Sequence, residues 1–257
     1  MKNIIAMRFI NRFLLVAIAF LTWGSIYARP PADTLRVLLV GNSYTYSNNM
    51  PQIISILSDS ASVKLFTRKS TIGGASLKDH WHGERGLQTQ SLIREGQFDI
   101  VVLQEQSMGT IHQPDTFLLY VRKFSDLIKE AGARPYLYLT WAREKMPQMQ
   151  EQITSVYQQA AGQNGATVVP VGPAWMKARE IRPGMPLYGG DGSHPSQLGA
   201  FLTASVFVQA ILQQPLPKMP NSFHIKDYTG ESLQLFALDP LDVDFCQGIA
   251  GEIAKSE

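Results

Sequence analysis

Ser43 ends the run Val37-Leu38-Leu39-Val40-Gly41-Asn42-Ser43, and a hydroxyl set at the end of an apolar segment is a candidate nucleophile. A serine needs a base to take its proton. The downstream stretch Tyr188-Gly189-Gly190-Asp191-Gly192-Ser193-His194-Pro195-Ser196 supplies an imidazole, with a carboxylate three residues before it. On a glycine-rich loop stopped by a proline, Asp191 can orient His194 from within the same loop. Ser43, His194 and Asp191 are therefore the parts of a nucleophile, base and orienting acid for acyl transfer. Read one at a time, Gly-Asn-Ser is also ordinary turn chemistry, with short polar side chains bonding local backbone.

Four other stretches carry chemistry. Ser70 to Leu77 contains Gly73-Gly74, whose missing side chains let backbone approach a ligand or simply make a turn. Gln104-Glu105-Gln106-Ser107 places two amides after an apolar run, and Trp141-Ala142-Arg143 places an aromatic and a guanidinium after another. The latter pair suits a sugar face and a polar or acidic group, or else packing and a surface salt bridge. His80-Trp81-His82 has the His-x-His form of a zinc pair, but no third ligand stands at metal-site spacing. No metal and no cofactor is expected. Cys246, the sole cysteine, reads as a free buried thiol.

These residues need elements to position them. Arg36–Gly41, Ser62–Lys69, Phe98–Leu103, Pro135–Thr140 and Ala166–Val171 read as five strands. They alternate with helical patterns at Met50–Ala61, a stretch ending at Glu95, Phe117–Ala131, Gln148–Ala161 and Pro173–Ile181. Gln197–Leu212 is a largely apolar helix that fixes the loop carrying His194. The tail to Glu257 wraps the domain with one more helix from about Val243. Strands rich in valine and leucine without polar alternation are buried on both faces, so the expected fold is an α/β three-layer sandwich with a parallel sheet. In such sheets ligands bind beyond the carboxyl ends of the strands, where Ser43 stands. Gly-x-Ser-x-Gly, a phosphate-binding loop, a dinucleotide glycine fingerprint and His-Glu-x-x-His are all absent.

Gly-Asn-Ser-Tyr near the start and Asp-Gly-Ser-His-Pro near the end resemble the first and last blocks of the SGNH (GDSL-type) hydrolases. The resemblance implies a flavodoxin-like order for the five-stranded sheet and the triad Ser43, Asp191 and His194. It also implies an oxyanion hole made by the N–H groups of Ser43 and Gly74, with Gly73 in reserve for the latter, and by a side-chain amide. The family has Gly-x-Asn-Asp in its third block, where this sequence has Gln104-Glu105-Gln106. Gln106 is the expected amide and Gln104 the alternative. Gln104, Trp141 and Arg143 are the expected substrate contacts. Secreted relatives often remove acetyl groups from glycans, so the implied activity is a serine esterase acting on an acylated small molecule or glycan. A glycan-binding protein on a degenerate scaffold and an acyltransferase are the alternatives.

The first residues hold Lys2, Arg8 and Arg12, an apolar core from Phe13 to about Trp23, and Ser25-Ile26-Tyr27-Ala28. That is the layout of a secretory signal peptide cleaved near Ala28, with a core too short to span comfortably. The expected organisation is residues 1–28 as leader and 29–257 as one domain, periplasmic or secreted, with no stable membrane span after processing. The whole chain has a formal net charge of +2. The leader holds three basic and no acidic residues, so the remainder stands at −1 and offers no basic surface for nucleic acid.

Overall fold

A computed structural model describes residues 34–214 and 218–254. The expected leader and its cleavage point lie outside the described residues, as do Pro215 and Pro217. Strand β1 (Thr34–Gly41) is flanked by β2 (Lys64–Thr71) and β3 (Ile100–Leu103), and β4 (Arg134–Tyr138) and β5 (Thr167–Val169) extend the sheet past β3. All pairings are parallel and the order is β2-β1-β3-β4-β5, the flavodoxin-like arrangement.

The sheet is buried on both faces because its centre has apolar side chains at successive positions. Val37 and Leu39 join one core, while Leu38 and Val40 join the other, as the two-residue period of a strand requires. The Val37 face is covered by α2 (Met50–Ser58), α8 (Val171–Ile181), α9 (Gln197–Leu212) and α10 (Pro240–Ile253). The Leu38 face carries α3 (Leu77–His82), α4 (Thr89–Glu95), α6 (Pro114–Glu130) and α7 (Met149–Asn164). Two one-turn helices, α1 (Ser43–Tyr46) and α5 (Gly109–His112), follow β1 and β3 at the same edge of the sheet. The result is an α/β three-layer sandwich. Among the described residues no helix is long and apolar enough to cross a membrane.

The structure departs from the sequence expectation in two places. The stretch ending at Glu95 is two helices, separated at Gly83 and Gly86, both of which hold positive φ. The tail contains an antiparallel hairpin, β6 (Ser222–Lys226) and β7 (Ser232–Ala237), in addition to the expected helix. Its turn is closed by Asp227, whose Oδ1 accepts from the N–H groups of Thr229 and Glu231, and by Gly230 at φ 88°.

Helix α9 is apolar nearly all round and correspondingly buried, which makes it the fixed post behind the histidine loop. Ser196 caps it by accepting from Gly199 N at 3.0 Å, and Ser196 N donates to Leu187 O at 2.8 Å. Gly199 permits the close approach. A Cβ there would lie 2.2 Å from Leu187 O and 2.8 Å from the Trp175 ring. We expect Gly199→Ala to destabilise the fold by about 1–3 kcal/mol through overpacking. The opposite sign is expected for Gly162→Ala, within α7, where a Cβ meets nothing and helix propensity gains about 0.5–1 kcal/mol. Thermal melts of the two variants, at about 2–4 °C per kcal/mol for a chain of this size, check both signs.

Candidate active site

Strand β1 runs buried to Gly41 and then turns sharply at Asn42, whose extended backbone ends the strand and caps α1. Asn42 Oδ1 accepts from Tyr44 N at 3.1 Å, and its Nδ2 donates to Ala75 O at 2.9 Å. The Asn42 N–H donates to Gln104 Oε1 at 2.8 Å, as does Thr45 Oγ1 at 2.9 Å. Ser43 is thereby lifted, half-buried, at the carboxyl edge of the sheet. Gly41 has to be glycine here, since a Cβ would sit 2.3 Å from Gln104 Oε1.

Ser43 Oγ lies 2.8 Å from His194 Nε2, and His194 Nδ1 lies 2.5 Å from Asp191 Oδ2. An ionised Asp191 accepts only, so the network puts the imidazole proton on Nδ1 and leaves Nε2 to accept from the serine hydroxyl. Asp191 Oδ1 accepts further from Ser193 N at 3.0 Å and His194 N at 2.9 Å. The hydrogen bond from His194, then those from the two backbone N–H groups, hold the Asp191 carboxyl down at about 2. Its depressed value means that any stability it contributes is present above the ordinary carboxylate range and lost as pH falls toward 2. The side chain is half exposed, so solvent screens that contribution.

The loop carrying His194 is docked from three directions. Gly189 N donates to His194 O at 2.8 Å, closing the loop on itself. Trp141 Nε1 donates to Ser193 O at 3.0 Å, and Glu144 N donates to Gly192 O at 2.9 Å. The Tyr44 hydroxyl meets Ser193 Oγ at 2.5 Å, and Asn48 Nδ2 donates to Pro195 O at 2.8 Å. Beneath the loop Tyr44, Trp141 and Trp175 stack in series, with centroids 4.8 and 3.8 Å apart and planes within 10°.

Two expected substrate contacts are corrected by burial. Gln104 has no exposed surface, and its amide is used on Asn42, Thr45 and the Glu105 carbonyl. It builds the turn that carries Ser43 and offers no surface to a substrate, and the same burial removes it as the alternative oxyanion donor. Trp141 is 1% exposed, sandwiched in the aromatic stack, and anchors the histidine loop through its indole N–H. Arg143 is half-buried at the rim, with Nη2 3.4 Å from Ser107 Oγ.

The residues expected to form the oxyanion hole lie around the same edge. Gly74 is exposed at φ 71°, in the loop tied to Asn42 through Ala75 O. Gln106 is half-buried, its Oε1 accepting from Met108 N at 2.8 Å while its Nε2 makes only a 3.4 Å contact to Ser107 Oγ. That orientation leaves amide hydrogens for a ligand. Between these loops stands a residue the sequence reading passed over. Glu105 is 4% exposed, and its carboxylate accepts from Gln106 N at 2.7 Å and from Leu77 N at 3.2 Å. It clasps the Gly74 loop to the Gln106 loop. A charged residue two positions past a fully buried strand was the available signal.

The His80 and His82 rings serve separate structural ends. His80 is buried between Gly41 O at 2.9 Å and Thr89 Oγ1 at 2.7 Å, and burial lowers its pKa, while His82 Nε2 meets the Tyr120 hydroxyl at 2.8 Å. Among the described residues no group of three or more His, Cys, Asp or Glu side chains is arranged to hold a metal ion. Cys246 is free and buried, which pushes its thiol up to about 12.

Comparison with solved structures decides the family. A protein assigned as an SGNH hydrolase from Slackia heliotrinireducens is 30% identical and superposes with a TM-score of 0.59, over 69% of this chain and 99% of that one. The chain belongs to the SGNH hydrolases. A DUF4886 family protein from Bacteroides uniformis shares the fold at 19% identity and a TM-score of 0.70, over 85% of this chain and 94% of that one. An acetyl xylan esterase does so at 13% identity and 0.56, over 69% and 100%. No family model and no curated protein matches the sequence.

Within this SGNH hydrolase Glu105 sets a pH dependence. Burial, outweighing the two N–H bonds, raises its carboxyl to about 7. A carboxyl raised on folding stabilises most below its unfolded value, and that contribution is lost as pH rises through about 7. Glu105→Gln should remove this slope, which for a shift of this size is worth up to about 3 kcal/mol. Denaturant unfolding of both proteins between pH 4.5 and 8 is the check: the difference in stability between them should change across that window and stay constant above it.

Proposed function

We propose that the protein is a serine esterase in which Ser43 is the nucleophile, His194 the general base and Asp191 the orienting acid. The observation that carries this reading is the continuous line of hydrogen bonds from Ser43 Oγ through the imidazole to Asp191. Ser43 Oγ attacks the ester carbonyl as its proton passes to His194 Nε2. The carbonyl oxygen, now anionic, takes hydrogen bonds from the N–H groups of Ser43 and Gly74 and from the Gln106 amide. Collapse expels the alcohol, which leaves with the proton from His194. A water deprotonated by His194 then attacks the acyl-enzyme and releases the acid and Ser43.

The substrate class we propose is an O-acyl group, in particular acetyl, on a carbohydrate. An acetyl xylan esterase shares the fold, which supports that choice. The assembled triad favours hydrolysis over a binding role on a degenerate scaffold. We also propose residues 1–28 as a cleaved leader delivering residues 29–257 as one exported domain. Export and N-terminal sequencing of the mature protein test this.

A fluorophosphonate should label the mature protein once, at Ser43, and labelling should be lost in His194→Ala. Peptide mapping reads the outcome, and a label elsewhere or undiminished labelling defeats the triad. Gln106→Ala should lower kcat by about 100- to 1,000-fold with KM little changed, because its amide donates to charge that exists only in the transition state. Unchanged kcat would leave the oxyanion to the backbone alone.

A further inference from the structure

The rim of the site holds a cation that the protein itself does not match. Arg143 Nε is buried without a hydrogen-bond partner, and Nη2 has only the 3.4 Å contact to Ser107 Oγ. Among the described residues no carboxylate lies within ion-pairing distance of it. A guanidinium held partly out of water with no matching carboxylate is unfavourable unless an anion arrives at its Nη end.

Its neighbours do not supply that acceptor. Glu144, next in the chain, is exposed and turns its carboxylate to Gly192, where a Cβ would meet Oε2 at 3.2 Å. Asp191 is committed to His194 and two backbone N–H groups. The acceptor that Nη2 does reach, Ser107 Oγ, is a neutral hydroxyl shared with the Gln106 amide. Burial raises the pKa of the Tyr44 hydroxyl, and its hydrogen bond to Ser193 Oγ, 2.5 Å away, and the charge of Arg143 act against that rise. The Tyr44 ring in turn packs edge-on against His194, 5.5 Å between centroids. The cation and the hydroxyls thus lie one side chain away from the reacting serine and histidine.

We propose that Arg143 is a specificity-determining residue that binds a carboxylate of the substrate, so the ester cleaved at Ser43 carries an acid group close to its scissile bond. A planar guanidinium offers two parallel N–H donors to a carboxylate, and Ser107 and Tyr44 add hydroxyl donors beside it. The carboxylate belongs either to the alcohol, as in an acetylated uronic acid, or to the acyl group, as in the half-ester of a dicarboxylic acid. The inference rests on the serine-esterase reading.

Two matched pairs of esters separate the sources. In one, a 4-nitrophenyl half-ester of succinate is compared with its methyl ester. In the other, an O-acetylated methyl glucuronide is compared with its uronate methyl ester. The native protein should prefer the free acid in one pair by about 10- to 100-fold in kcat/KM, the range of a charged hydrogen bond. Added salt should shrink that preference. Arg143→Met should bring the ratio close to one, and Arg143→Lys, folded by its thermal melt, should keep part of it. A ratio near one in both pairs for the native protein, or a preference that survives in Arg143→Met, overturns the proposal. Fluorophosphonate labelling of Ser43 in the same samples separates the two readings. A labelled enzyme with no carboxylate preference defeats the role of Arg143 alone, whereas loss of labelling in the native protein defeats the serine chemistry beneath it.

Discussion

One buried amide holds the turn that carries Ser43 in place. Gln104 Oε1 accepts at once from the Asn42 N–H and the Thr45 hydroxyl, at the point where β1 stops pairing and its polar groups can no longer reach water. A parallel sheet covered on both faces leaves every strand end with this difficulty, because an unpaired buried N–H costs about 1–3 kcal/mol. Here side chains satisfy the backbone at the end of β1 and in the loop that follows β2. Asn42 reaches Ala75, Glu105 reaches Leu77, and His80 reaches Gly41. Satisfying the buried backbone and fixing the loops that present Ser43, Gly74 and Gln106 are the same act.

A second constraint acts on the opposite side of the site. The histidine loop is short and glycine-rich, with little apolar surface of its own, so its place is set by what it docks against. The stack of Tyr44, Trp141 and Trp175 supplies a rigid floor, and the hydrogen bonds from Trp141 Nε1 and Asn48 Nδ2 supply the register. Tyr44 links the two halves. It follows the nucleophile in sequence, lies on Trp141 and bonds Ser193, so a shift of α1 would move both ends of the Ser43–His194 hydrogen bond together.

The sheet was legible because its inner strands are apolar runs separated by helical periods, and α9 was legible to its ends because Ser196 is a capping residue before an apolar stretch. That Ser43, His194 and Asp191 would meet was legible because they stand in the loops at the ends of such elements. What sequence could not show was which way a polar side chain turns at a strand end. Gln104 and Gln106 are two residues apart, yet one faces a buried backbone N–H and the other the open edge. Trp141 looked like a surface for sugar because aromatic residues serve that end as readily as they serve packing, and only the positions of Tyr44 and Trp175 decide between them. The hairpin at β6 and β7 escaped notice because its strands alternate weakly and are largely exposed.

The exposure of Asp191 bears on how the triad is assembled. A carboxylate deep in the protein would be fixed by its surroundings and would in turn fix the histidine. Here the acid and the base share one loop, and Asp191 is oriented by the N–H groups of Ser193 and His194 themselves. The pair is therefore set by local turn geometry, and its solvent-facing side needs no partner from the core. What remains to be specified is the distance between that loop and Ser43, which no residue of the loop controls. That distance is controlled by Trp141, Tyr44, Asn48 and Leu187, contributed by three separate parts of the chain. Ser43 and the Asp191–His194 pair are each fixed by a turn, whereas their meeting is fixed by packing.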